Sequence, residues 1–462
     1  MMAASVDLFG SYDVVVVGAG ITGVVTAIAA ARDGAKTLIV EGSGTIGGLV
    51  TGGRLTKPTG TVDGGIFREF IDKAEKMGGA DAATQYAYWG PYTGVYDAET
   101  MQRVIIETLD EAGVEVLLYA QTIGALREGN VVRGITALTK SGEKLILAAA
   151  VVDASGDGDV AALAGARFML GRPEDGLVQP ITCYFRAVNV NFPAFAADCS
   201  AHRDDMWELH LPDGPATRNE EYVLKFNMTG FVERIKEAQR DGFPWIIPKD
   251  HLTMKAGLVP GEINVNATRV HGNALDDRVR SRATIEIRKQ AYNCFDFLKK
   301  YVRGFEQAIF LDVAPVLGVR ETRRVVGGYI LSETDVRNEA RFDDAIGLCN
   351  SPIDIHEPGG DKGVMINVGE GYGIPYRCML PEGIEGILVA GRCISVDAIA
   401  FGSTRNTPAC ALEGEAAGIA ASRAARRKIT PRAVPIAEIQ EALRTRGIVL
   451  GVPGDRLPVL TR

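Results

Sequence analysis

Asp13-Val14-Val15-Val16-Val17 runs straight into Gly18-Ala19-Gly20-Ile21-Thr22-Gly23. Four consecutive valines without alternation read as a strand buried on both faces, because a half-exposed strand would carry a polar residue at every second position. The run stops at glycine. Residues Ile21 to Arg32, rich in Ala and Val, then read as a helix, and Lys36 to Val40 as a second strand. In such a βαβ unit each glycine has a separate duty. Gly18 permits the tight turn, Gly20 lets the backbone approach a pyrophosphate, and Gly23 lets the helix lie close to the strand. The phosphates would rest on the helix N-terminus beside Ile21 and Thr22, where free N–H groups and the macrodipole favour anions. Glu41 closes the second strand, where a carboxylate accepts hydrogen bonds from a ribose diol and repels a 2′-phosphate. The motif alone leaves NAD and FAD both open.

Outward from this unit, Gly42-Ser43-Gly44-Thr45-Ile46-Gly47-Gly48-Leu49-Val50-Thr51-Gly52-Gly53 is poor in side chains and suited to pass close to a large planar ligand. Helices are expected over Phe67–Met77 and Ala98–Ala112. Val114 to Val152 alternates apolar and polar residues, broken at Glu128-Gly129-Asn130 and Ser141-Gly142, which reads as an antiparallel meander. After about Gly165 the composition shifts to aromatics among charged loops. A long amphipathic helix is expected from Asp276, with Ile287, Ala291, Cys294, Phe295, Leu298 and Val302 on one face. Strand (Gly386–Ala390), glycine turn and helix (Pro408 to about Ala424) then return, followed by a helix from Pro435. The expected architecture is α/β: a discontinuous Rossmann-like nucleotide-binding domain with a β-meander (1–168 and 365–430), an inserted α+β substrate-binding or cap domain (169–364), and a C-terminal helix and tail (431–462).

A chain of 462 residues suits two cooperating domains. Its net charge of −8 disfavours a phosphate-backbone binder, so no nucleic-acid partner is expected. Seven scattered cysteines without Cys-x-x-Cys, and only five histidines, speak against a dithiol, zinc or iron–sulfur site; no metal is expected. MMAASVDLFG lacks the pattern of a signal peptide, and no apolar run is long enough to span a bilayer. A cytoplasmic chain with reduced thiols and no membrane partner is the expectation.

These stretches together resemble the FAD-dependent oxidoreductases of the glutathione-reductase-like flavoprotein superfamily, distantly similar to fumarate-reductase-type flavoproteins. The resemblance rests on the glycine motif with Glu41, Ile46–Gly53, and Val152-Asp153-Ala154-Ser155-Gly156-Asp157-Gly158-Asp159. It continues through Gly318-Val319-Arg320-Glu321-Thr322-Arg323-Arg324, Ile374-Pro375-Tyr376-Arg377 and Leu388–Ser395, then Gly402-Ser403-Thr404-Arg405 and Ala416-Ala417-Gly418. It implies FAD held by Gly18, Gly20, Ile21, Thr22, Gly23, Glu41, Gly42, Gly47, Gly48, Leu49, Ala154, Ser155, Gly156, Gly391, Arg392 and Thr407, with the adenine at the backbone of Gln121 and Thr122. Thr407 suits an N-cap and Pro408 the first helical position. By the resemblance, that helix end points at the pyrimidine edge of the flavin, where its dipole stabilises negative charge. Superfamily relatives often carry an acidic residue where Arg392 stands; a phosphate contact and a surface ion pair are both open for it. No histidine precedes His202, so the FAD is expected to be noncovalent.

No second glycine-rich strand-to-helix turn occurs between 170 and 365, which argues against a dedicated NAD(P)H domain. The expected reaction takes a hydride from a small polar organic substrate onto FAD at the domain interface, with the electron acceptor unknown. Candidate catalytic residues are Arg405, facing flavin or substrate, and His356 as a base, against a plain surface role. Arg320 and Arg324 would share a strand face to clamp a carboxylate, with a solvated edge paired to Glu321 as the alternative. Asn266 and Arg269 are further candidates for the second domain's pocket. Rival readings are a reductase or monooxygenase using free NAD(P)H and a non-catalytic electron-transfer subunit. Assembly, including a homo-oligomer, is left open.

Overall fold

The computed structural model describes residues 6–87, 90–359 and 363–455; the first five residues and the tail beyond Asp455 lie outside them. The expected βαβ unit is β1 (Asp7–Val17), α1 (Ile21–Arg32) and β2 (Thr37–Val40), with both strand pairings parallel. β1 begins at Asp7 rather than Asp13. Its first half is largely exposed, so no apolar run announces it. α2 (Gly65–Lys76) and α3 (Ala98–Ala112) follow. Asp97 caps α3 by accepting from Thr100 N–H, and Gly113 ends it at φ 72°, a left-handed conformation that glycine adopts without strain.

The expected meander begins later than its sequence pattern. β3 (Glu115–Leu117) pairs in parallel with β2 as the edge of the main sheet, and three residues are too few for alternation to tell the two cases apart. β4 (Gln121–Glu128), β5 (Val131–Thr139) and β6 (Gly142–Asp153) form the meander, turning at the two expected glycine sites. β6 links the parallel and antiparallel parts of one seven-stranded sheet: Gly142–Leu147 pairs antiparallel with β5, while Lys144–Asp153 runs parallel to β1.

A separate six-stranded antiparallel sheet is built from β7 (Tyr184–Val188), β8 (Met206–His210), β9 (Asn227–Gly230), β10 (Leu252–Ala256), β11 (Ile263–Asn266) and β12 (Ile309–Val313). Its order is β8-β9-β10-β11-β7-β12. Phe185, Met228, Met254 and Val265 point from one face into an apolar core shared with Phe192, Phe195, Phe226 and Phe231. α4 (Asp277–Tyr301) covers that core with the expected face, although Phe297 rather than Phe295 is the fully buried ring. The opposite face is polar. Strand pairing aligns Thr229, Thr253, Asn266 and Tyr184 in one row and Asn227, Lys255, Asn264 and Arg186 in the next.

The chain then returns to the main sheet. β13 (Ile387–Val389) pairs in parallel with Val151–Asp153, and α5 (Thr407–Arg427) packs on α1. Gly414 and Gly418 make this approach possible: a Cβ on either would stand 2.4 or 2.3 Å from the carbonyl oxygens of Thr22 and Thr26. The N-cap of α5 is Asn406 rather than Thr407, and its amide donates to carbonyls of Pro352, Gly402 and Ser403 instead of capping. α6 (Ile436–Thr445) buries Ile439 and Leu443. The architecture is the expected α/β fold with an α+β unit inserted.

Helix α1 can meet β1 closely only because residue 23 has no side chain: a Cβ there would lie 1.8 Å from the Gly18 carbonyl oxygen. Gly23→Ala is therefore expected to lower unfolding stability by roughly 3 kcal/mol, the upper end of overpacking costs. Denaturant titration of the apoprotein measures it.

Candidate active site

Two glycine segments face each other across the end of β1. Gly18 adopts φ +99°, and a Cβ there would meet the Ala154 carbonyl at 2.5 Å. Gly47 N–H donates to Ala19 O at 2.7 Å, and a Cβ on Gly48 would lie 2.9 Å from the Gly20 Cα. Gly20 differs from all of these. A Cβ on it would meet nothing within 4 Å, because it faces open space.

That space is a cavity of about 440 Å³. Gly18, Gly20, Ile21, Thr22, Glu41, Gly48, Leu49, Ala154, Ser155, Gly156, Arg392 and Thr407 line it. Glu41 is held in place by its own neighbours: Oε2 accepts from Ala19 N–H at 2.9 Å and Oε1 from Ser43 N–H at 2.7 Å. Each oxygen keeps a lone pair for a ribose hydroxyl. Asp153, fully buried, folds the next loop by accepting from Ser155 N–H and Oγ and from Ala161 N–H; burial pushes its carboxyl up to about 6.

Arg392 donates to Asp157 at 2.8 Å inside the cavity rather than at the surface. Its Nη1 is buried and has no partner among the described residues. An orphaned guanidinium nitrogen, an open Gly20 and an α5 first turn without a side-chain cap fit the diphosphate and ring of a flavin dinucleotide.

The remaining expected cofactor residues lie off the cavity lining. Gly23 and Gly47 serve packing. Gly42 abuts the exposed Gln121, whose Oε1 would sit 2.7 Å from a Cβ at residue 42, and Thr122 is buried. Gly391 turns its N–H away, donating to Glu413 Oε2 at 2.6 Å. Burial drives the Glu413 carboxyl well above its ordinary range.

At the other end of the cavity, cations converge. Arg405 Nη2 donates to Asp354 at its carbonyl (2.7 Å) and its carboxylate (3.0 Å). Arg269 Nη2 lies 3.2 Å from His356 Nδ1, and His356 Nε2 lies 3.2 Å from Asp354 Oδ1. Because a guanidinium only donates, Nδ1 must be the acceptor, so the imidazole proton sits on Nε2 and points at Asp354. Arg320 donates to Pro180 O at 2.7 Å, and Lys249 Nζ to Asn266 O at 3.0 Å. Burial lowers the Lys249 ammonium to about 7, helped by Arg269 and Arg320. Burial, then Arg320, lowers His356 to about 3; burial, then Arg405, lowers Arg320 to about 9. Asp354 resists the upward push of its own burial and stays far below the carboxylate range, because His356, Arg405 and Arg320 outweigh it. Arg320 and Arg405 thus both act on the one Asp354 carboxylate, with Lys249 and Arg269 close by.

Two catalytic expectations change. His356 is not a free base, since both ring nitrogens are engaged and its affinity for a proton is low; it positions Asp354 and Arg269. Arg324 does not line the cavity. It is buried against Glu321, donates to Gly171 O and lies over the Phe401 ring, while the strand there covers only Arg323–Val325 and never places it on a face with Arg320. Asn266 lines the cavity, and Arg269 reaches it through His356. The residues sequence reasoning missed are Lys249, Asn227, Thr229, Lys255 and Asn264, all cavity-lining. Their alternation with Met228, Met254 and Val265 was visible but looks the same whether the polar face meets water or a ligand.

The described residues hold no group of three His, Cys, Asp or Glu able to bind a metal. The cysteines are all buried and unpaired, and no described helix is long and apolar enough to cross a membrane.

A family model described as FAD dependent oxidoreductase matches residues 13–443. The chain belongs to the FAD-dependent oxidoreductase family. No curated protein matches it. Among solved structures, this FAD-dependent oxidoreductase is similar to a geranylgeranyl bacteriochlorophyll reductase-like protein from Thermoplasma acidophilum (14% identity, 95% of this chain and 84% of the other, TM-score 0.49). It is also similar to the flavin-dependent brominase Bmp2 (14%, 94% and 83%, 0.46). A third is the anhydrotetracycline hydroxylase OxyS from Streptomyces rimosus (14%, 94% and 65%, 0.44). Likeness of this degree says nothing of reaction or substrate.

Because Gly20 alone among the motif glycines has room for a Cβ, Gly20→Ala is expected to fold with near-normal stability yet bind FAD about 10-fold more weakly, a methyl-sized intrusion costing of order 1–3 kcal/mol. Equilibrium dialysis against FAD, beside the apoprotein's melting curve, separates this from the Gly23 effect.

Proposed function

We propose that this FAD-dependent oxidoreductase acts on a small organic anion, such as a carboxylate, with its FAD bound noncovalently. The observation that carries the reading is the pair of guanidiniums, Arg320 and Arg405, that line this end of the cavity with Asp354 as the carboxylate between them. Buried cations call for a counter-charge, and an anionic substrate would supply it. Arg320 and Arg405 would orient that group. Lys249, with its pKa near neutrality, is the cavity base best suited to take a hydroxyl or amine proton. Asp354 and His356 would hold the arginines in place. FAD, when bound, supplies two-electron chemistry. Noncovalent attachment is supported by the lack of histidine in the glycine loops and by the occupied nitrogens of His356.

A second reading keeps the same anion site but reverses the electron flow, with a free nicotinamide as donor. It is supported by the antiparallel build of the inserted sheet, which offers no second dinucleotide fold among the described residues, so any nicotinamide must come and go.

Anaerobic mixing with hydroxy acids and amino acids, followed by loss of flavin absorbance, tests the first direction; bleaching by NADH or NADPH alone marks the second. Arg320→Leu is expected to lower kcat/KM roughly 10- to 100-fold, the worth of a hydrogen bond to a charged group. If Lys249 is the base it must be unprotonated, so kcat/KM rises with pH through about 7. Lys249→Met should abolish that limb; a limb that survives assigns the base elsewhere. Acid precipitation should leave all the yellow chromophore in the supernatant.

A further inference from the structure

The second polar row of the inserted sheet holds groups that the proposed chemistry does not use. Asn227, Lys255 and Asn264 are register neighbours on β9, β10 and β11, each nine-tenths buried, and all line the cavity. Lys255 Nζ, Asn227 Nδ2 and Oδ1, and Asn264 Oδ1 have no hydrogen-bond partner among the described residues. The neighbouring charges are already matched. Lys57 donates to Glu208 at 3.0 Å and lies over the Tyr92 ring, while Arg186 pairs with Asp312 and Glu262.

Four orphaned polar atoms on three adjacent strands are costly in a native protein, of order 1–3 kcal/mol each, and call for an occupant. Three observations limit its chemistry. The donors are an amine and an amide, suited to a carboxylate, and a protonated Lys255 has three donors, enough for a ligand and the neighbouring amide oxygens. Burial, then the Lys57 charge, holds Lys255 well below the ordinary lysine range, a cost that an arriving anion offsets. The cavity walls also include Leu55, Val316, Leu317 and Met365, which suit a carbon skeleton.

We infer that Asn227, Lys255 and Asn264 form a second anion subsite, so that the substrate is a two-headed acid, a linear dicarboxylate. This rests on the proposed function, since the first carboxylate is the one held at Arg320 and Arg405. Asn264 and Asn266 are two residues apart on one face of β11, and Asn266 O holds Lys249. The two rows are therefore about 7 Å apart, so one ligand can reach from Lys249 to the second row, and the chain lengths tested below fix the span between the two anion subsites.

Holoenzyme is titrated with glutarate, adipate and pimelate and with the matching monoacids pentanoate, hexanoate and heptanoate, following the flavin absorbance shift. At least one diacid is expected to bind 10-fold or more tightly than its monoacid. Lys255→Met should bring that diacid to the monoacid level, leave the monoacid unchanged, and keep or raise the melting temperature of the ligand-free protein. Asn227→Leu should lose part of the preference and serves if the lysine variant does not fold. The inference falls if diacids bind no better than monoacids, which would leave water as the occupant. It also falls if the preference survives both substitutions, or if Lys255→Met weakens FAD binding without any acid, which would assign the lysine to the cofactor. Failure of the underlying reading looks different: no acid of either kind binds, or Arg320→Leu leaves monoacid affinity unchanged.

Discussion

The carbonyl oxygen of Gly18 lies where any side chain on residue 23 would begin, and this steric condition organises the nucleotide half of the molecule. It seats α1 against β1, so the helix N-terminus opens at the strand end. It also brings the backbone of Gly47 and Gly48 against Ala19 and Gly20. The same economy of side chains recurs on the other side of α1, where Gly414 and Gly418 let α5 approach within carbonyl contact. Two helix N-termini are thereby presented to one cavity, an arrangement suited to a cofactor with a diphosphate at one end and a ring that gains negative charge at the other.

Electrostatics sets the opposite wall. A buried arginine group with one carboxylate is unstable in isolation and is retained only where something else is gained. The hydrogen bonds among Arg269, His356, Asp354 and Arg405 fix the orientation of these groups. The protein therefore enters its reaction with the field already in place, which is the form of preorganisation that gives electrostatic catalysis its force. The polar sheet face extends this wall with amides and a lysine that have no internal partners.

Features governed by local rules were legible in the sequence. The glycine motif, the meander turns, the bounds of α3 and the apolar face of α4 follow from periodicity and turn chemistry. Features governed by distant partners were not. His356 looked available as a base until Arg269, 87 residues away, occupied its Nδ1. Arg324 looked like a partner of Arg320 until Glu321 claimed it. Lys249 and Lys255 carry no local mark of being buried, and the Thr-Met-Lys and Asn-Val-Asn alternations read as ordinary half-solvated strands. Asn406 holds the N-cap position of α5 without capping it, because its side chain donates to the 352 and 402–403 carbonyls, a tertiary fact.

The glycine-lined cradle, as the seat of a flavin dinucleotide, underlies every other assignment in the molecule. Thermal unfolding of the apoprotein with FAD, compared with NAD at equal concentration, tests this directly. FAD at about 100 times its dissociation constant should stabilise the fold by about 2.7 kcal/mol, with NAD giving little or no shift. Equal stabilisation by NAD, or no response to FAD, would contradict it.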